Sequence, residues 1–153
     1  VSGEFQGQKL KGFIDRLDSF HPGQVRVVDY KTGKVLDDDE KITDDNAEAI
    51  ADKIFAEDIK ERPKIALQFF IYDLLVQDHP LAKGRQIYNC VYSTARLFKE
   101  PPLNVPRNEK FFEAVSHRLG ETLQEMYSLD VPFRRTKDEK VCEYCDFKML
   151  CGR

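Results

Sequence analysis

Val25-Arg26-Val27-Val28-Asp29-Tyr30-Lys31 is the strongest strand pattern in the chain, and it places charge where a buried strand face needs apolar groups. Side chains alternate along a strand, so Val25, Val27, Asp29 and Lys31 share one face. Two valines turn that face towards a core, yet it ends in a carboxylate and an ammonium. Buried charge is costly unless it is paired or metal-bound. A second acid, Asp15, interrupts the apolar run of Gly12-Phe13-Ile14-Asp15-Arg16-Leu17-Asp18, and His21-Pro22-Gly23 between the two segments is a turn signal.

With the turn centred on Pro22, residues whose numbers sum to 44 oppose each other across the hairpin. Asp15 then faces Asp29, Leu17 faces Val27, and Phe13 faces Lys31. Directly opposed side chains have Cβ atoms roughly 4.5–5.5 Å apart. Two carboxylates closing on one face repel, and a shared proton or a divalent cation relieves them. A hard cation with oxygen ligands suits Mg²⁺ or Mn²⁺. Lys31 is then placed to orient or deprotonate a water, or to neutralise a phosphoryl oxygen. The chemistry implied is phosphodiester hydrolysis. On spacing alone, an ordinary ion pair of Lys31 with Asp29 or Asp15 at an exposed sheet end fits as well. Arg16 and Asp18 point to the opposite strand face, as surface or supporting groups.

The remaining elements frame this hairpin. Residues 3–18 read as two short strands broken near Gln6-Gly7-Gln8, residues 34–44 as an exposed acidic loop, and residues 45–60 as a surface helix with Ile50, Ile54 and Phe55 at helical spacing. Pro63 fits the first turn of a helix from Lys64 to Gln77, apolar on most sides and therefore buried. A strand over 85–95 and an amphipathic helix from Asn108 to Met126 follow. This order predicts an α/β or α+β fold with a mixed sheet. The length of 153 residues suits one domain, 1–153. Hydrophobic residues at 41%, with only 8 Gly and 7 Pro, exclude collagen-like and wholly disordered classes. No apolar run approaches the ~18 residues of a membrane span. Position 1 is Val rather than Met, which reads as a piece excised from a larger protein. Residues 37–61 carry a net −8, so with −3 overall the rest of the chain carries +5, compatible with a phosphate-bearing partner.

The two acidic motifs resemble those of the PD-(D/E)XK nuclease superfamily, closest to its RecB-like and AddB-like branch. The family's "GxxDRxD" matches residues 12–18 and supplies a metal-binding aspartate at Asp15. Its "DYKTG" matches Asp29-Tyr30-Lys31-Thr32-Gly33 and supplies a second metal-binding aspartate, Asp29, and the catalytic Lys31. The backbone carbonyl of Tyr30 is the position of a further metal ligand. "QxxxY" matches Gln68 and Tyr72, i,i+4 neighbours on one helix face that contact the active site or the DNA in the family. Glu4 stands where some members place another acid near the metal; an exposed strand acid is the other reading. The family's upstream helix, often carrying a ligating His, would precede Val1, and His21, His79 and His117 do not match it. The resemblance implies a restriction-endonuclease-like mixed sheet flanked by helices. It also implies a Mg²⁺- or Mn²⁺-dependent deoxyribonuclease, an exonuclease on single-stranded DNA. Such an enzyme serves DNA repair and recombination beside a fused or separate helicase.

Cysteine usage is lopsided. Cys90 stands alone in a strand and reads as a small core residue, while Cys142, Cys145 and Cys151 crowd into the cysteine-rich end, 136–153. This is no secreted disulfide framework, and it points to an intracellular, cytoplasmic chain. Cys142-x-x-Cys145 on one turn with Cys151 six residues on suits metal or iron–sulfur ligation, one donor short of four. The branch places a [4Fe–4S] cluster on such a triplet, completed by a cysteine upstream of the nuclease motifs. Zinc and three idle thiols are the other readings of these residues. Two rivals to the nuclease remain open: a catalytically silent nucleic-acid-binding domain of the same fold, and a zinc-stabilised interaction module.

Overall fold

The computed structural model describes residues 1–33, 35–57, 61–132, 134–137 and 139–153. Two strands, β1 (Ser2–Phe5) and β2 (Gln8–Lys11), form an antiparallel hairpin through Gln6-Gly7. The main sheet has the order β3-β4-β5-β6, with β3 at Arg16–His21, β4 at Gln24–Lys31, β5 at Gln86–Ser93 and β6 at Asn104–Pro106. β3 and β6 run antiparallel to their neighbours, while β4 and β5 are parallel, so the sheet is mixed. Parallel neighbours need a long crossover. Here it contains α1 (Asp37–Glu40), α2 (Ala47–Phe55) and α3 (Lys64–Val76); α4 (Glu109–Tyr127) follows β6. This is the mixed α/β architecture expected of a restriction-endonuclease-like fold.

The hairpin between β3 and β4 has the anticipated register over Arg16↔Val28, Leu17↔Val27 and Asp18↔Arg26, then shifts to close at His21↔Gln24. Pro22 fixes one turn residue, and Gly23 takes the positive φ of 74° that the next position requires. The ladder begins at Arg16, so neither Asp15 with Asp29 nor Phe13 with Lys31 is a ladder pair. Phe13 is 84% exposed, with the Lys11 ammonium 5.6 Å from its ring centre.

α3 is apolar on most sides because it lies between two layers. One side meets the sheet: Tyr72 and Val76 pack with Val25, Val27 and Ile87, and Ile65 and Phe69 pack with Val35, Val91 and Val105. The other side meets α2 and α4, where Ala66 and Phe70 join Ile50, Ile54, Phe111 and Val115. The β1–β2 hairpin closes on the same helix. Gly3 and Gly12 lie against Leu75, where an added Cβ would come within 3.1 Å of its methyl groups.

The acidic stretch is more ordered than its composition suggests. Residues 37–40 form a helical turn in which Asp39 and Glu40 are buried, correcting the expectation of an exposed loop. The reason is pairing. Asp39 Oδ1 accepts from the backbone N–H groups of Ile65 (2.9 Å) and Ala66 (3.1 Å), and its Oδ2 accepts from Leu36 N–H at 3.0 Å. Pro63, at the N-cap of α3, provides no side-chain acceptor, so an acid from another element supplies the cap. Glu40 pairs with Arg96. Of the helix expected over 45–60, α2 is the described part, and its Ala47, Ile50, Ala51 and Ile54 face are buried; 58–60 lie outside the described residues.

Candidate active site

β4 projects Val25, Val27, Asp29 and Lys31 towards α3. The valines are buried in the sheet–helix core, and Asp29 follows them at 4% exposure. Each of its oxygens has a different environment. Oδ1 accepts from the Tyr72 hydroxyl at 2.9 Å and from Gln68 Nε2 at 3.0 Å, and Gln68 Nε2 also donates to the Tyr72 oxygen. Oδ2 stands 2.8 Å from Lys31 Nζ but, although buried, receives no directed hydrogen bond from a described residue. The helical i,i+4 spacing aims both Gln68 and Tyr72 at one carboxylate oxygen. Burial, then the hydrogen bond to Asp29, pushes the Tyr72 phenol above its ordinary value, so it remains a donor.

Asp15 lies one residue before β3. Its carboxylate is exposed, and Oδ2 accepts from the Tyr30 backbone N–H at 2.9 Å, which ties this side chain to β4 beside Asp29. Arg16 and Asp18 face the other side of the sheet, where Asp18 accepts from both Arg16 and Arg26. These contacts hold Asp18 below the usual carboxylate range, with Arg26 the larger cause. Glu4 is exposed on β1 while its neighbours Gly3 and Phe5 turn towards α3, and no contact among the described residues links it to Asp15 or Asp29.

Among the described residues, no group of three or more His, Cys, Asp or Glu side chains converges in metal-binding fashion. Mg²⁺ does not require one: it is bound through one or two carboxylates and keeps waters or phosphate oxygens in its other positions. Asp29 Oδ2, partnered among the described residues by the Lys31 ammonium alone, is the feature that fits such a cation, with Asp15 and the Tyr30 carbonyl as its neighbours along the hairpin. The cysteine-rich end differs. Cys142, Cys145 and Cys151 are half-buried free thiols in successive turns, and the Cys142 sulfur accepts from Arg153 Nη1 at 3.2 Å. Cys90 is fully buried in β5, where loss of solvent pushes its thiol up to about 11.

Two positioning features escaped the motifs. Asp39 fixes the start of α3 one turn before Gln68, and Ser93 stands beside Lys31 in the β4–β5 ladder, with Thr94 N–H donating to the Lys31 carbonyl at 2.9 Å. A helix that opens with Pro and brings no capping side chain of its own was the only sequence hint for the first, and it does not name Asp39; the second has none without the strand register.

No curated protein and no solved structure matches the chain significantly. A family model does: that of the PD-(D/E)XK nuclease superfamily matches residues 1–152, spanning the hairpin with its two acids, the Asp29–Lys31 pair and the helix that grips Asp29, and the chain belongs to this superfamily.

Proposed function

We propose that the chain is the nuclease part of a RecB/AddB-type DNA-processing enzyme and hydrolyses single-stranded DNA as an exonuclease with Mg²⁺ or Mn²⁺. One observation carries this reading. Asp29 has one oxygen saturated by Tyr72 and Gln68 and the other buried, undirected and 2.8 Å from Lys31. With Asp15 tied to the neighbouring Tyr30 N–H, this sets two acids and an ammonium together at one sheet end, where a buried carboxylate is stabilised by pairing or a cation.

Asp29, Asp15 and the Tyr30 carbonyl would hold the cation, which supplies Lewis-acid polarisation of a phosphoryl oxygen and a water made more acidic. Lys31 would orient the attacking water as an ammonium or, when neutral, take its proton, and in its charged form it favours the developing phosphorane-like anion. Gln68 and Tyr72 keep Asp29 in one rotamer by two hydrogen bonds to the same oxygen, so the second oxygen always faces the reacting centre.

The cysteine-rich end serves the full-length protein. Cys142, Cys145 and Cys151 supply three thiolates for a [4Fe–4S] cluster, with the fourth ligand from elsewhere in that protein. Thiols kept for this purpose suit a reducing compartment, the cytoplasm. No described helix is long and apolar enough to cross a membrane. A helicase, fused or separate, would provide the single strands.

The test is Mg²⁺- or Mn²⁺-dependent cleavage of end-labelled single-stranded DNA by the full-length protein beside a Lys31→Ala variant. Activity lost in the variant, with fold and DNA binding kept, supports the assignment. Equal activity in both overturns the role of Lys31. DNA bound but cleaved by neither means a silent binding domain.

A further inference from the structure

A cavity of about 350 Å³ opens at the C-terminal end of β5, the strand next to the one that carries Asp29 and Lys31, which do not themselves line it. Its floor is Val91 and Ser93 of β5, which align with Asp29 and Lys31 of β4. Parallel strands lie about 4.8 Å apart, so the cavity begins one strand spacing from the catalytic pair. The volume falls within the roughly 300–1,000 Å³ of small-ligand sites.

The chain turns sharply after Ser93 and builds the far wall from residues 96–102. Arg96 is clamped there, by Glu40 and by the Val35 carbonyl at 2.9 Å. Phe98 belongs to this wall and is 97% exposed. Charges within the lining cancel, Arg96 and Lys99 against Glu40 and Glu100. A phosphate therefore gains no net attraction inside it. A nucleobase is neutral, offers a π-face to an exposed ring, and presents an edge of donors and acceptors to fixed polar groups.

We propose that this cavity receives one nucleobase of the strand being cut, stacked on Phe98 and read at its edge by the Arg96–Glu40 pair. The proposal rests on the nuclease reading for its substrate class and names the place where that strand is gripped. Base–aromatic stacking of this kind changes affinity by about tenfold per base.

The experiment uses the full chain and a fluorescent single-stranded 12-mer, in which one abasic site is moved through every position. Binding is measured without divalent cation, and cleavage separately with Mg²⁺. For the unmodified chain, one position should cost about tenfold in affinity when abasic. Phe98→Ala should lose about tenfold on the intact strand and no longer respond to that position, while Phe98→Tyr retains both. Phe98 is exposed, so neither substitution threatens the fold. An abasic profile that Phe98→Ala leaves unchanged, or no binding of the strand at all, overturns the base site. Binding that follows the expected pattern without any metal-dependent cleavage overturns the nuclease reading and upholds the base site.

Discussion

The Tyr72 hydroxyl donates to Asp29 Oδ1 at 2.9 Å across 43 residues of chain. Tyr72→Phe removes that donor and leaves Gln68 alone on the oxygen. Partners that orient a metal-binding carboxylate typically carry about 10–100-fold in metal affinity or activity. The expected result is a rise of that order in the Mg²⁺ concentration at half-maximal cleavage, with partial recovery at high Mg²⁺. An unchanged metal titration together with unchanged turnover would show that Tyr72 is only a packing residue.

Asp39 should matter for stability first and activity second. Asp39→Ala strips the acceptor from two backbone N–H groups at the start of α3, in a site where the carboxylate is 2% exposed. Loss of a helix cap costs about 1–2 kcal/mol, and at this chain length each kcal/mol lowers Tm by roughly 2–4 °C. Asp39→Asn keeps an acceptor oxygen for Ile65 and Ala66 but sets its amide N–H₂ against the Leu36 N–H, and should recover part of the loss. A thermal melt of both variants decides it, and equal Tm for Asp39→Ala and the unmodified chain removes Asp39 from the account.

These two residues mark the limit of what the sequence made legible. The β3–β4 register was readable because strand alternation is a local rule, and the shared helix face of Gln68 and Tyr72 because i,i+4 spacing is; that this face meets the site was implied only by the family resemblance. Asp39 was not readable, since it caps a helix whose first bonded amide lies 26 residues away, and its acidic neighbours made the segment look solvated. β6 escaped for a related reason: it is three residues long and ends in Pro106, a strand only because β5 offers it an edge. The pairing expected for Phe13 failed because the ladder ends at Arg16, leaving Asp15 to bond the Tyr30 amide through its side chain.

The cysteine-rich end gives a prediction in metal content. Full-length protein purified without oxygen should contain iron and acid-labile sulfide, and Cys145→Ser should lose both while cleavage survives better than folding stability. Zinc in place of iron would point to a structural zinc site instead. Protein free of both metals would leave the three thiols without this role.

Asp73 supplies a prediction in pH. It lies on the buried face of α3 at 5% exposure, and Asn89 Nδ2 donates to its Oδ1 at 2.8 Å. Burial pushes its carboxyl up to about 7, against smaller downward pulls from Asn89 and Arg107. Geometry agrees, because the buried Asn89 Oδ1 has no donor. A neutral Asp73 carries an O–H that can supply one, closing an acid–amide pair. The native state then keeps a proton that the unfolded chain releases near the ordinary aspartate value. Between about pH 4 and pH 7 the native state binds more protons, so stability falls as pH rises through that window and levels off below it. Asp73→Asn retains an N–H donor for Asn89 and removes the titration. Urea midpoints measured from pH 4 to 8 should therefore decline for the unmodified chain and stay flatter for the variant, with the difference reaching a few kcal/mol by pH 7. Parallel curves for the two proteins would mean that Asp73 folds as a carboxylate, its charge balanced by Arg107.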